Sequence, residues 1–195
     1  MDLLYTTRPA FLGLRIFYIC LLSSLILISC SNKIYIKKKP DTFYETVEQF
    51  SGKKYPGNIV FPAGEEAPFR GEPLWVEVNK TSRNRLEIPV HVGNNIYRTL
   101  IFGKDKNGYW LQHENKRPDG AQAEISMYGG RNEEETNNYV MVFPADGYTK
   151  QLLGAARNST WSLGLSSDKH TLSYIAEDDG RLVLQIDIDL AEALQ

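Results

Sequence analysis

From Leu182 to Leu190 the chain places Leu182, Leu184, Ile186, Ile188 and Leu190 on one side and Gln185, Asp187 and Asp189 on the other. A period of two puts alternate side chains on opposite faces of a strand, so this segment reads as a strand with one face in a core and one in water. The same period recurs from Leu74 onward, at 75–78, 85–92, 97–102, 109–113, 123–128, 139–143, 161–165 and 172–176. Between these runs stand short turn sequences, among them Gly93-Asn94-Asn95, Arg117-Pro118-Asp119-Gly120 and Asp178-Asp179-Gly180, which suit hairpins. Pro89 pushes its strand towards an edge or a bulge, because it cannot donate to a ladder.

Two segments depart from the pattern. Asp146 is an N-cap for a helix over 148–156, with Leu152, Leu153 and Ala156 on one side. Residues 43–71 read as irregular, broken by Lys54-Tyr55-Pro56-Gly57, Phe61-Pro62-Ala63-Gly64 and Ala67-Pro68-Phe69-Arg70-Gly71. Within them Phe43, Val47 and Phe50 recur at helical spacing and suggest a short helical turn. About nine strands with one short helix predict an all-β fold, an antiparallel lipocalin-like β-barrel with the helix covering an end. Periodicity alone leaves a β-sandwich open as the alternative.

The amino terminus has the layout of an export signal. Arg8 and Arg15 supply positive charge, Ile16 to Ile28 form an apolar stretch, and small Ser29 precedes Cys30. Leu27-Ile28-Ser29-Cys30 resembles the lipobox of bacterial lipoproteins. The resemblance covers the first thirty residues and implies lipid transfer to the Cys30 sulfur, cleavage before Cys30 and acylation of the new amino terminus. An uncleaved spanning helix is the alternative, since about 20 apolar residues suffice. Ser23, Ser24 and Ser29, with the cysteine at a small-residue boundary, speak against it. The expected organisation is a signal peptide over 1–29, a lipidated cysteine and tether over 30–42, and a single β-rich domain over 43–195. Ser31 resembles the residue that sends lipoproteins to the outer membrane, so the expected location is the cell envelope, lipid-anchored at the outer membrane and facing the periplasm or the surface. The tether carries Lys37-Lys38-Lys39 and reaches about 40 Å when extended.

Loss of the leader removes Arg8, Arg15 and Asp2 and leaves 166 residues with 20 basic and 23 acidic side chains. That balance argues against nucleic acid as a partner, which needs clustered Lys and Arg. Cys20 leaves with the leader and Cys30 is taken by lipid, so the domain has no disulfide or thiol chemistry to use.

The densest polar cluster runs from Gln112 to Gly120 and is followed by Met127-Tyr128-Gly129-Gly130. In a hairpin across Pro118-Asp119-Gly120, His113 falls near Ser126 or Tyr128. A histidine beside an acid and a phenol suits acid–base work or ligand binding; the plain alternative is a polar hairpin tip with one hydrogen-bonded His. Tyr97, Tyr109, Trp161 and Tyr174 fall on inward faces, where they line a cavity or fill the barrel. Residues 103–114 place Asp105, Asn107, Gly108 and Glu114 at calcium-loop spacing, but Gly103 stands at the first ligand position and strands flank the loop. A hairpin turn explains the same residues. Glu133-Glu134-Glu135 reads as a solvated loop. No nucleophile elbow, phosphate loop, zinc-protease helix or Cys-x-x-Cys is present.

The polar cluster, with Val142 to Asp146, Thr149, Trp161-Ser162-Leu163 and Asp187 to Leu190, resembles a group of small secreted bacterial proteins. That resemblance, over about residues 109–190, implies a shared β-fold and no assigned activity. Asn115 and Arg117 stand where the group carries further histidines, so it implies no metal site here. Three functional classes follow. The preferred one is a non-enzymatic envelope lipoprotein binding a small or apolar ligand through His113, Tyr128, Trp161, Tyr97 and Tyr109, with no cofactor. The second is a protein–protein assembly module docking through edges near Pro89 and residues 43–71. The third is a hydrolase using His113 with Tyr128 or Asp119.

Overall fold

Ten antiparallel strands follow one another around one sheet: β1 (Lys53–Phe61), β2 (Leu74–Ser82), β3 (Arg85–Val92), β4 (Asn95–Asp105), β5 (Gly108–Glu114), β6 (Tyr128–Asn132), β7 (Val140–Pro144), β8 (Ser159–Leu165), β9 (Thr171–Asp178) and β10 (Arg181–Asp189). Their spatial order is β6-β5-β4-β3-β2-β1-β10-β9-β8-β7. Every strand therefore pairs with its neighbours in sequence, β1 pairs with β10, and only β6 and β7 are left to meet. This computed structural model describes residues 42–132, 139–154 and 158–195, all within one compact unit, Lys39–Gln195. The leader, Cys30, the tether up to Asp41 and Glu133-Glu134-Glu135 lie outside the described residues.

The seam between β6 and β7 is drawn together without a full ladder, so the sheet is a nearly closed barrel. Gly130 and Ala145 form a single bridge, and the Asp146 amide donates to the Gly129 carbonyl at 3.1 Å. Asn132 Nδ2 donates to the Val142 carbonyl at 2.9 Å. Helix α2 (Gly147–Leu153) completes the lock. Its N-cap Asp146 accepts from the Thr149 amide at 2.8 Å, and Thr149 Oγ1 accepts from the Gly129 amide and donates to its carbonyl, both at 2.7 Å. Closure needs Gly130, because a Cβ there would overlap the Pro144 carbonyl of β7, while a Cβ at Gly129 would overlap the Leu111 carbonyl of β5. The barrel thus prevails over the sandwich.

Inward positions alternate as the sequence suggested. Leu86, Ile88, Leu100, Phe102, Leu111, Leu163, Leu172 and Ile188 belong to one continuous buried cluster, and each such side chain contributes about 2 kcal/mol through burial. Helix α1 (Phe43–Glu48), capped by the Thr42 hydroxyl, plugs one end. Its Phe43, Tyr44 and Val47 are buried, and Phe43 and Tyr44 meet the Phe102 ring at 6.0 and 5.2 Å. Glu48 pairs with Lys80, and Lys104 Nζ lies 4.6 Å above the Tyr44 ring.

Two expectations need correction, and a third is met in one of its two forms. Part of the irregular 43–71 stretch is strand β1: Pro56 has a register partner on β2 (Trp75) and none on β10, the half-paired position a strand proline requires. The strand expected at 123–128 starts instead at Tyr128, because Met127 takes a positive φ of 58° that breaks the extended run. Pro89 lies in an inner strand, opposite Thr99 of β4, and of its two expected settings it takes the bulge and not the edge, since the β3–β4 register slips by one between Val90 and His91. The turn at Asp179-Gly180 has positive φ at both residues, 49° and 72°, as a two-residue hairpin demands.

Gly130→Ala is expected to open the seam and lower stability by about 2–3 kcal/mol, in the range of an overpacked interior. Gly147→Ala, whose Cβ meets nothing within 4 Å, is expected to be neutral or slightly stabilising. Thermal unfolding followed by circular dichroism separates the two.

Candidate functional site

At the end opposite α1, five strands deliver polar or aromatic side chains inward. Each lies two residues from a buried aliphatic on its own strand: Arg98 from Leu100, His113 from Leu111, Trp161 from Leu163 and Tyr174 from Leu172. Tyr128 opens β6 directly opposite His113 in the register. His113 is fully buried and Tyr128, Trp161 and Tyr174 nearly so. The imidazole stacks on the Tyr128 ring at 4.8 Å, with Trp161 also 4.8 Å away and Tyr174 5.7 Å away.

A chain of hydrogen bonds runs through this cluster. His113 Nδ1 lies 3.0 Å from the Tyr128 carbonyl oxygen and Nε2 lies 2.9 Å from the Tyr174 hydroxyl. A carbonyl only accepts, so Nδ1 carries the proton and Nε2 accepts from Tyr174. Tyr174 in turn accepts from Arg98 Nη1 at 3.4 Å, and Arg98 Nη2 donates to the Tyr97 hydroxyl at 3.1 Å. Burial, with the Arg98 cation beside it, pushes His113 down to about 3, against the pull of its bond to Tyr128. Burial likewise drives the Tyr174 phenol upward.

Above the cluster lies a cavity of about 430 Å³, lined by Arg98, Asn115, Tyr128, Trp161, Ala176 and Val183 among others. Glu177 and Asp178 stand on its wall, and Asp178 accepts from the Ser159 hydroxyl at 2.5 Å. Ile125 and Val183, both about half exposed, give it an apolar lip.

Of the residues expected from sequence, His113, Tyr128 and Trp161 come together. Tyr97 joins them only through Arg98: its ring lies at the outer margin, against Phe69 at 4.7 Å. Tyr109 is placed elsewhere. It is the second residue of β5, packs at 6.2 Å on Phe102 near the α1 plug, and is four residues from His113 along the strand. Asp119 does not approach His113 either, being an exposed turn residue paired with Arg117 at 3.5 Å. His91 stacks on Trp75 at 3.5 Å, with Lys54 over the same Trp75 ring at 4.9 Å; His170 is in an exposed turn, 3.7 Å from Asp168. Asp105 of the calcium-like spacing is engaged by Arg131 at 2.6 Å. Among the described residues no group of three or more His, Cys, Asp and Glu side chains is placed to hold a metal.

Arg98 and Asn115 are the site residues that sequence reasoning missed. Arg98 shares the face of Leu100 and Phe102, so an arginine on an apolar face was the available signal. No family model matches this chain, and no curated protein matches it.

The His113 pKa has a consequence for stability. The unfolded imidazole takes up a proton near pH 6.5, the folded one only near pH 3. His113 therefore leaves stability intact above about pH 6.5 and erodes it as pH falls from there towards 3. His113→Gln, which does not titrate, is expected to remove on the order of 2 kcal/mol of the stability loss between pH 6.5 and 4.5. Urea unfolding of both proteins at the two pH values measures the difference.

Proposed function

We propose that this chain is a cell-envelope lipoprotein, anchored by lipid on Cys30, whose barrel binds a small ligand with an apolar body at its open end. The observation that carries the reading is the 430 Å³ cavity over the His113–Tyr128–Trp161 cluster. Its size falls within the range of about 300–1,000 Å³ usual for small-molecule sites, and its wall joins the Tyr128 and Trp161 rings and aliphatic Ile125, Leu153 and Val183 to polar Arg98, Asn115, Ser159, Glu177 and Asp178. The barrel beneath it is filled by its own side chains, and α1 occupies the other end, so a ligand enters at this mouth. Chemistry at His113 is the weaker reading, since both ring nitrogens are already engaged and no carboxylate is bonded to either among the described residues. The docking-module reading loses the exposed edge expected near Pro89. Among the described residues no helix is long and apolar enough to cross a membrane, and lipid on Cys30 with a Lys37-Lys38-Lys39 tether supplies attachment in this reading.

Full-length protein, extracted in nonionic detergent and examined by native mass spectrometry, is expected to carry its lipid and a second, stoichiometric small molecule. Lipid with no further mass, under conditions that preserve the fold, would count against a carrier. Cys30→Ser is expected to abolish fatty-acid labelling and release the protein from membranes. Persistent labelling would overturn the anchor.

A further inference from the structure

Two residues that line the cavity, Arg98 and Asn115, each hold a buried polar atom without a partner among the described residues. Arg98 Nε is buried with no acceptor, and Asn115 Oδ1 is buried with no donor. Asn115 Nδ2 donates to the Ile125 carbonyl at 2.9 Å, which fixes the amide so that Oδ1 is the free end. A guanidinium offers five N–H donors, and among the described residues those of Arg98 meet only the Tyr97 and Tyr174 hydroxyls. Among the described residues no carboxylate lies within ion-pairing distance of it. A buried charge without a counter-ion is expensive, and an unpaired buried donor adds to that cost. Planar forks of this kind match a carboxylate in two places at once.

Resting on the ligand-binding reading above, we infer that the open end takes a small, singly charged organic anion, its carboxylate on Arg98 and its flat apolar body against Trp161 and Tyr128. The choice of a single charge comes from the wall itself. Among the described residues Arg98 is the one cation of the lining, and Glu177 and Asp178 share it, so a second negative group would find like charge and no second cation. The apolar lip of Ile125 and Val183 suits the body of such a molecule and not a free inorganic ion.

The test uses 2-naphthoate and 2-naphthamide, which share one apolar body and differ in charge. Calorimetric titration into the full-length protein in nonionic detergent is expected to show naphthoate binding at least tenfold more tightly. Arg98→Gln is expected to remove that preference by weakening naphthoate at least tenfold while leaving naphthamide within twofold. Arg98→Lys, which keeps the charge and loses the fork, is expected to retain part of it, and circular dichroism verifies that each variant folds. Equal binding of the two probes, or naphthoate binding untouched by Arg98→Gln, would overturn the anion assignment and leave the cavity reading standing. Binding of neither probe to folded wild type would overturn both.

Discussion

The hydrogen bond from His113 to the Tyr128 carbonyl sets the direction of the polar line that runs through Tyr174 to Arg98 inside the open end of the barrel. Because that oxygen only accepts, the imidazole must be protonated at Nδ1, and its Nε2 must accept. Tyr174 is then obliged to donate inward and to receive from Arg98 on its other side. Four strands, β4, β5, β6 and β9, are tied through one line of donors. The line holds only while His113 is neutral. A second proton would place a cation beside the Arg98 guanidinium in a space that burial has already made hostile to charge.

The two ends of the barrel are built for different purposes. At one, Phe43 and Tyr44 of α1 close on Phe102, and charged side chains ring the outside. At the other, α2 is committed to the β6–β7 seam through Thr149 and Asp146, leaving Leu153 on the cavity wall. The seam and the site are therefore neighbours. Tyr128, which stacks on His113, is followed at once by Gly129 and Gly130, the residues through which the barrel closes.

Much of this was legible in the sequence where one physical signal dominated. Alternation in β10 and the Asp146 cap for α2 were read directly, as was the Asp178-Asp179-Gly180 hairpin. Where two signals compete, the reading failed. Pro56-Gly57 looks like a turn, yet Gly57 lies within β1, in register with Leu74 of β2 and Ile188 of β10. Gly129-Gly130 looks like a strand breaker and is instead a close approach of backbones. That His113, Tyr128 and Trp161 come together was legible because aromatics on inward faces are conspicuous. Arg98 was not, because whether an inward arginine has a partner depends on which strands surround it.

The most direct test of the account is the protonation state of His113, read by long-range ¹⁵N–¹H correlation NMR across the pH range. A neutral ring protonated at Nδ1 and unchanged from pH 8 to pH 5 is the expected result. It would establish the donor line that leaves Arg98 facing the cavity. A ring protonated at Nε2, or one that takes up a proton near pH 6.5, would contradict it: Tyr174 would then not be bound to donate inward, and the arrangement around Arg98 would lose its physical basis.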